Sequence, residues 1–327
     1  MRENRIQLGL MVVVLALMVN VAFGAHWYVD PVNGADSNGG TSSADAWKTL
    51  KHATSETNYT GTQENPCIMH LAAGVYSPSS NGEKFPVVFS HAGVPEGYGD
   101  LRGSGADAAI IDAEGKYRVL EVTLDYGTVC DLSITGGDHS IDMGGGIYAY
   151  AEHTMYIERC NIHDNNHGAG IRTKTGNWGT FRITDCQIVR NNDHGSGGGM
   201  NLGYNNDLTM TNCLIADNTI PDASNHGGGI GSQAYNYITL INCTVVWNHK
   251  QGLNIDISEH GRVRLYNCVF WGNDDDLDVT GTDLTITHCN IADGDGLGEN
   301  GNISQDPLFV TGSHGDYYLS HAGVNSK

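Results

Sequence analysis

The chain is patterned by short apolar alternations that recur at nearly regular intervals. Met155/Ile157, Phe181/Ile183, Leu208/Met210, Ile238/Leu240, Val263/Leu265 and Leu284/Ile286 each place two apolar residues around one intervening position. A few residues later comes a cysteine, in the series Cys130, Cys160, Cys186, Cys213, Cys243, Cys268 and Cys289, spaced 21 to 30 residues apart and each followed two positions on by an apolar residue. A third run is led by glycine and carries Ile147, Ile171, Met200 and Ile230, with a weaker copy at Leu253. Period-two alternation rich in branched residues reads as strand. Three short strands in every repeat cannot pair as hairpins, so like strands of successive repeats must lie side by side and parallel. That is one coil of a solenoid, rising about 4.8 Å per turn, and crossover chirality favours right-handed winding. The pattern predicts an all-β, single-stranded right-handed parallel β-helix with an N-terminal cap.

In such a stack, equivalent residues of successive coils point the same way. The cysteines are therefore expected as an internal column of free thiols, because neighbours about 4.8 Å apart lie beyond the roughly 3.5–4.5 Å between Cβ atoms that a disulfide prefers. A disulfide framework is the rival reading for an exported chain. Asn165, Asn191, Asn218, Asn248 and Asn273 follow five residues after a cysteine, and Asp185, Asn212, Asn242 and Asn267 immediately precede one. Both sets read as turn residues flanking a strand.

Charge and the N-terminus narrow the setting. With 37 acidic against 17 basic residues the net charge is −20, a field that repels nucleic acid and anionic membrane and attracts cations. Arg2 and Arg5, an apolar run from Leu8 to Val19 and the small residues around Ala22 and Gly24 read as a secretory signal peptide over 1–24. The apolar run is short for a membrane span, so the expected product is secreted or cell-surface, not an integral membrane protein, and monomeric. No linker divides 25–327, which is expected to form one domain: cap at 25–60, coils at 66–290 and a terminal segment at 291–327.

Residues 27–53, reading WYVDPVNGADSNGGTSSADAWKTLKHA, together with IMHLAAGVY at 68–76, LRGSGADAAIID at 101–112 and GNISQDPLFVTGSHGDYYLS at 301–320, resemble bacterial secreted proteins with right-handed β-helix repeats of the pectate-lyase-like superfold. The resemblance implies an N-terminal strand, loop and short helix closing one end of the solenoid. Relatives usually continue past the Tyr-Tyr-Leu strand, so the resemblance also implies either a truncated terminal segment or an absent anchor region. Similar lyases on this fold use an Arg or Lys base with bound calcium.

The glycine-led strands are the candidate binding face. Their outward positions carry Tyr148, Tyr150, Arg172, Lys174, Asn201, Gln233, Asn254, Asp256 and Asp278. Tyr148 and Tyr150 can stack on sugar rings, with Asn201, Gln233 and Asn254 as further substrate contacts. Arg172 and Lys174 can neutralise a uronate carboxylate and take a proton from the adjacent carbon, which makes them the catalytic candidates. Asp274, Asp275, Asp276 and Asp278 form an oxygen-rich loop of the kind that holds Ca²⁺, although no full calcium-loop pattern is present. His139, His167, His194, His226 and His249 recur in the loops before the glycine strands and are a weaker metal candidate. No phosphate loop, zinc-protease helix or nucleophile elbow is found.

Two functions are consistent with this pattern. One is a protein that binds or processes an extracellular polysaccharide, as a polysaccharide lyase acting by β-elimination or as a glycoside hydrolase on an acidic substrate. The other is a non-catalytic cell-surface or adhesion rod that presents loops to a partner.

Overall fold

The structure, a computed structural model, describes residues 24–319 apart from 58, 60, 91–96, 125, 139–144, 151–152, 175–177, 222–226, 256–260, 281–282 and 313–314. Residues 1–23, all but the last of the expected signal peptide at 1–24, therefore lie outside the described residues, as do His139, His226 and Asp256.

The described strands form three parallel sheets of ten, eight and nine strands, plus a two-stranded hairpin. In each coil the chain visits the ten-stranded sheet, then the nine-stranded, then the eight-stranded. Every strand of the three large sheets pairs in parallel with its counterpart one coil away, for example Thr154–Glu158 with Thr180–Thr184 and then Asp207–Thr211. The result is the right-handed parallel β-helix that the repeat predicts.

Inward positions stack as columns. Met155, Phe181, Leu208, Ile238 and Val263 lie in register in the ten-stranded sheet. Ile134, Ile162, Ile188, Ile215, Val245, Phe270 and Ile291 do so in the nine-stranded sheet, and Leu120, Ile147, Ile171, Met200, Ile230, Leu253 and Leu277 in the eight-stranded sheet. These belong to one continuous buried cluster, and each such side chain contributes roughly 1.5–3 kcal/mol.

The corner between the ten- and nine-stranded sheets is a single left-handed residue. Arg159, Asp185, Asn212, Asn242, Asn267 and His288 adopt φ between 51° and 55° there. Asn and Asp tolerate this region best among residues bearing a Cβ, which explains their recurrence before the cysteines. All eight cysteines are buried and none is in a disulfide, as the column argument requires. Burial pushes the Cys186 thiol well above its ordinary value.

Cys130 corrects the repeat alignment. It pairs with Glu158, while Ser133 pairs with Asn161, so Leu132 holds the column position of Cys160. The left-handed corner residue of that coil is Asp131, at φ 59°. Spacing misplaced Cys130 by two residues because that coil has an apolar residue where the others have a cysteine.

The asparagines five residues after each cysteine are more than turn residues. Asn165, Asn191, Asn218, Asn248 and Asn273 are linked in order, each side-chain amide donating to the next Oδ1 at 2.9, 3.1, 2.9 and 3.0 Å. Each amide also donates to a main-chain carbonyl inside the coil, such as Ile162 O and Ile188 O at 2.9 Å. The glycine runs follow from this ladder. A Cβ on Gly170, Gly199 or Gly252 would come within 2.7–2.8 Å of the ladder amide beside it, so the strand can pass the asparagine only where it has no side chain.

Toward the N-terminus, His26–Val29 already pairs with Cys67–Leu71 as the first strand of the ten-stranded sheet. The helix Leu50–Glu56 buries Leu50 and Ala53, and Glu83 accepts hydrogen bonds from the helix-start amides of Leu50 and Lys51 at 2.7 and 2.8 Å. Toward the other end, the antiparallel hairpin of Phe309–Gly312 and Gly315–Leu319 packs on an apolar patch of the nine-stranded sheet's outer face made by Val189, Ala216 and Val246.

Candidate functional site

The register of the eight-stranded sheet fixes its outer row. Glu121, Tyr148, Arg172 and Asn201 are successive partners, followed by Gly231, Asn254 and Asp278. The sequence pattern assigned this row correctly, but its two halves have different surroundings.

In the first half the cationic groups gather. The Arg118 guanidinium lies 4.5 Å from the Tyr148 ring centroid and pairs with Glu121 at 2.8 Å. Arg172, next in the row after Tyr148, is half-buried, and its guanidinium makes no hydrogen bond or ion pair among the described residues. Burial lowers its pKa, helped by the positive charge of Arg118 and opposed by Asp193 and Tyr148. Two residues after Arg172 in the same coil, Lys174 is exposed with its Nζ 4.1 Å from the Tyr150 centroid. Two aromatic rings and three cations therefore share three successive coils of a chain whose overall charge is −20.

The second half is closed over. Asp193, itself buried, accepts from Asn201 Nδ2 at 3.1 Å and from the Ser196 amide at 3.0 Å, folding the 193–197 loop across the sheet. A Cβ at Gly231 would lie 1.5 Å from Ser196 O, so glycine is required for the loop to sit there. Asn201 and Asn254 are buried, and Asn254 donates to Asp278 Oδ2 at 2.9 Å. Gln233 is half-buried. Among the five expected substrate contacts, Tyr148 and Tyr150 sit with the cations, whereas Asn201 and Asn254 face protein.

The four aspartates disperse. Asp274 accepts from the Lys250 amide at 2.8 Å. Asp276 is buried and terminates the asparagine ladder, accepting from Asn273 Nδ2 and the Ala292 amide. Asp278 is held by Asn254, and Asp275 is exposed. Burial and the nearby Asp293 and Asp278 raise the pKa of Asp275. Among the described residues no group of three or more His, Cys, Asp or Glu side chains is placed to hold a metal. Of the histidines, His167 and His194 meet edge to face at 4.1 Å, and His249 Nδ1 is 2.8 Å from Ile220 O.

The sequence reading missed Arg118 and Asp193. Arg118 lies two residues before Leu120 in a coil that lacks the glycine-led signature, and Asp193 is in a loop whose length differs from its neighbours.

Residues 126–224 and 194–314 match the family described as right handed beta helix region. The chain belongs to this family. Among solved structures this β-helix protein is similar to pectate lyase Pel9A, with a TM-score of 0.55 and 15% identity over 89% of this chain and 84% of that one. A likeness at that identity shows a shared fold. No curated protein matches the sequence. Among the described residues no helix is long and apolar enough to cross a membrane.

Proposed function

We propose that this β-helix protein is exported and binds an acidic polysaccharide on the outer face of its eight-stranded sheet, where Arg172 receives a uronate carboxylate. The observation that carries the reading is the half-buried Arg172 guanidinium, which has no ion pair among the described residues and lies between Tyr148 and the asparagine that begins the closed half. A desolvated, unpaired cation favours an anionic ligand, which supplies the missing charge-assisted hydrogen bonds. Tyr148 and Tyr150 offer aromatic surface alongside it.

The same arrangement suits β-elimination. A base takes the proton on the carbon that bears the uronate carboxyl, the electron pair forms the new carbon–carbon double bond, and the glycosidic oxygen on the next carbon leaves with a proton. Of the two candidate bases, Arg172 fits better by position, half-buried and next to Tyr148 in the row. Lys174 is exposed and its ammonium is engaged with the Tyr150 ring; its role is to hold the substrate. A rise in absorbance near 235 nm on incubation with polygalacturonate, lost in Arg172→Ala, is the expected result. Binding without any rise would reduce the proposal to recognition alone.

The adhesion-rod reading has one specific support, the 193–197 loop, which closes the row beyond Arg172 and leaves an open strip at the Glu121, Tyr148 and Arg172 coils. A short strip suits recognition of a chain end or a short segment.

A further inference from the structure

The ten-stranded sheet carries a cleft of about 420 Å³ on its outer face, lined in part by Tyr98, Tyr126, Asp100, Arg102 and Tyr156. This face is distinct from the Arg172 strip. We infer that the cleft is a second carbohydrate-binding site, one that takes a neutral, hydroxyl-rich oligosaccharide.

Its floor is a grid set by strand register. Tyr98, Tyr126 and Thr154 form one row, and Asp100, Thr128 and Tyr156 the next. Coils are about 4.8 Å apart along each row. Tyr98, Tyr126 and His153 stack nearly parallel, with centroids 4.4 and 4.6 Å apart, so their faces are used by one another. Tyr156 is 40% exposed and has no ring partner among the described residues, which leaves its face for a sugar. Aromatic surface combined with a few fixed polar groups is the usual lining of a small-molecule site, and the volume falls within the ordinary range.

The polar groups are fixed. Asp100 is buried, accepts from the Thr128 amide at 3.1 Å and pairs with Arg102 at 2.5 Å. Such a carboxylate–guanidinium pair offers both acceptors and donors to sugar hydroxyls. The wall is the 61–66 segment, held by a bridge between Gly61 and Tyr98 and by reciprocal backbone bonds between Thr62 and Asn65. It brings Gln63 and Glu64 to the rim. Two carboxylates against one guanidinium disfavour a uronate here, the opposite of the Arg118–Arg172 cluster.

The test is titration calorimetry of the full mature protein with the neutral hexaoses of cellulose, xylan, mannan and galactan, and separately with hexagalacturonate. At least one neutral hexaose is expected to bind, with affinity reduced tenfold or more by Tyr156→Ala and unchanged by Arg172→Ala. Circular dichroism of Tyr156→Ala, an exposed position, verifies its fold. No heat with any neutral hexaose, neutral binding indifferent to Tyr156→Ala, or hexagalacturonate binding that depends on Tyr156 would each overturn the inference. Because the Arg172 strip is read by hexagalacturonate and Arg172→Ala, the two sites can fail independently.

Discussion

Asn218→Ala breaks the asparagine ladder at its centre. The Asn218 side chain is fully buried. Its Oδ1 accepts from the Asn191 amide at 2.9 Å and from Asn191 Nδ2 at 3.1 Å, while its Nδ2 donates to Ile188 O and Asn248 Oδ1, both at 2.9 Å. Alanine removes all four bonds. Asn191 Nδ2 keeps Ile162 O, and Asn248 Oδ1 keeps the Asn218 amide, but the Asn191 backbone N–H loses its acceptor in the interior. At about 1 kcal/mol for each of the three other bonds, with about 1–3 kcal/mol for the buried Asn191 donor left unpaired, the loss is about 4–6 kcal/mol.

The matched control is Asn212→Gly. Asn212 belongs to an exposed ladder, donating to Asp185 and accepting from Asn242 at 3.1 and 3.2 Å, and its φ of 54° suits glycine without strain. That substitution is expected to cost no more than about 0.5 kcal/mol. Urea unfolding followed by far-ultraviolet circular dichroism reads both variants. Hydrogen exchange at the Asn191 amide reads the local loss directly, which is useful because a solenoid can open coil by coil. If Asn218→Ala lies within about 1 kcal/mol of Asn212→Gly, the ladder is not the stabilising element described here.

Three further outcomes are expected. A thiol-specific chromogenic reagent should label none of the eight buried cysteines in the native protein and all eight after unfolding; fewer in the unfolded state would reveal disulfides. Phe309→Ala should loosen the hairpin, since Phe309 packs on Trp247 at a centroid distance of 5.2 Å, costing about 1–2 kcal/mol for a half-buried ring. Limited proteolysis should then cut within 309–319 and leave the solenoid intact, and an unchanged digestion pattern would contradict the docking. The pKa of Asp275 is raised in the folded protein, first by burial and then by Asp293 and Asp278, so its contribution to stability is fully present below the ordinary carboxylate value and lost as pH rises through the folded one. The melting-temperature difference between Asp275→Asn and the parent should therefore grow in favour of the variant from about pH 4 to pH 7, and a difference independent of pH would count against it.

The fold was legible because a solenoid repeats the same local physics in every coil. The apolar pairs such as Phe181/Ile183 and the recurring cysteines identified two of the three sheets, and glycine-led isoleucines identified the third. Two things were hidden by the same regularity. Cys130 looked like another member of its column, although Leu132 is the residue that fills the place. The asparagines had the composition of turns, and only their burial distinguishes an internal ladder from a surface one.

The candidate site was legible in part. Alternation placed Tyr148, Arg172, Asn201, Asn254 and Asp278 in one outward row, as the register has it. Outward from the sheet does not mean exposed to solvent, however. The 193–197 loop returns over Gly231, a contact that strand periodicity does not encode. Arg118 and the Tyr98–Tyr126 stack depend on side chains brought together from different coils, which no single repeat displays.

The central claim is recognition of a uronate chain by Arg172, and calorimetric titration of hexagalacturonate into the mature protein and into Arg172→Ala tests it most directly. Measurable binding by the parent protein, weakened at least tenfold, or about 1.4 kcal/mol, in the variant, is the expected result. No binding by the parent protein, or equal binding by the two, would contradict it.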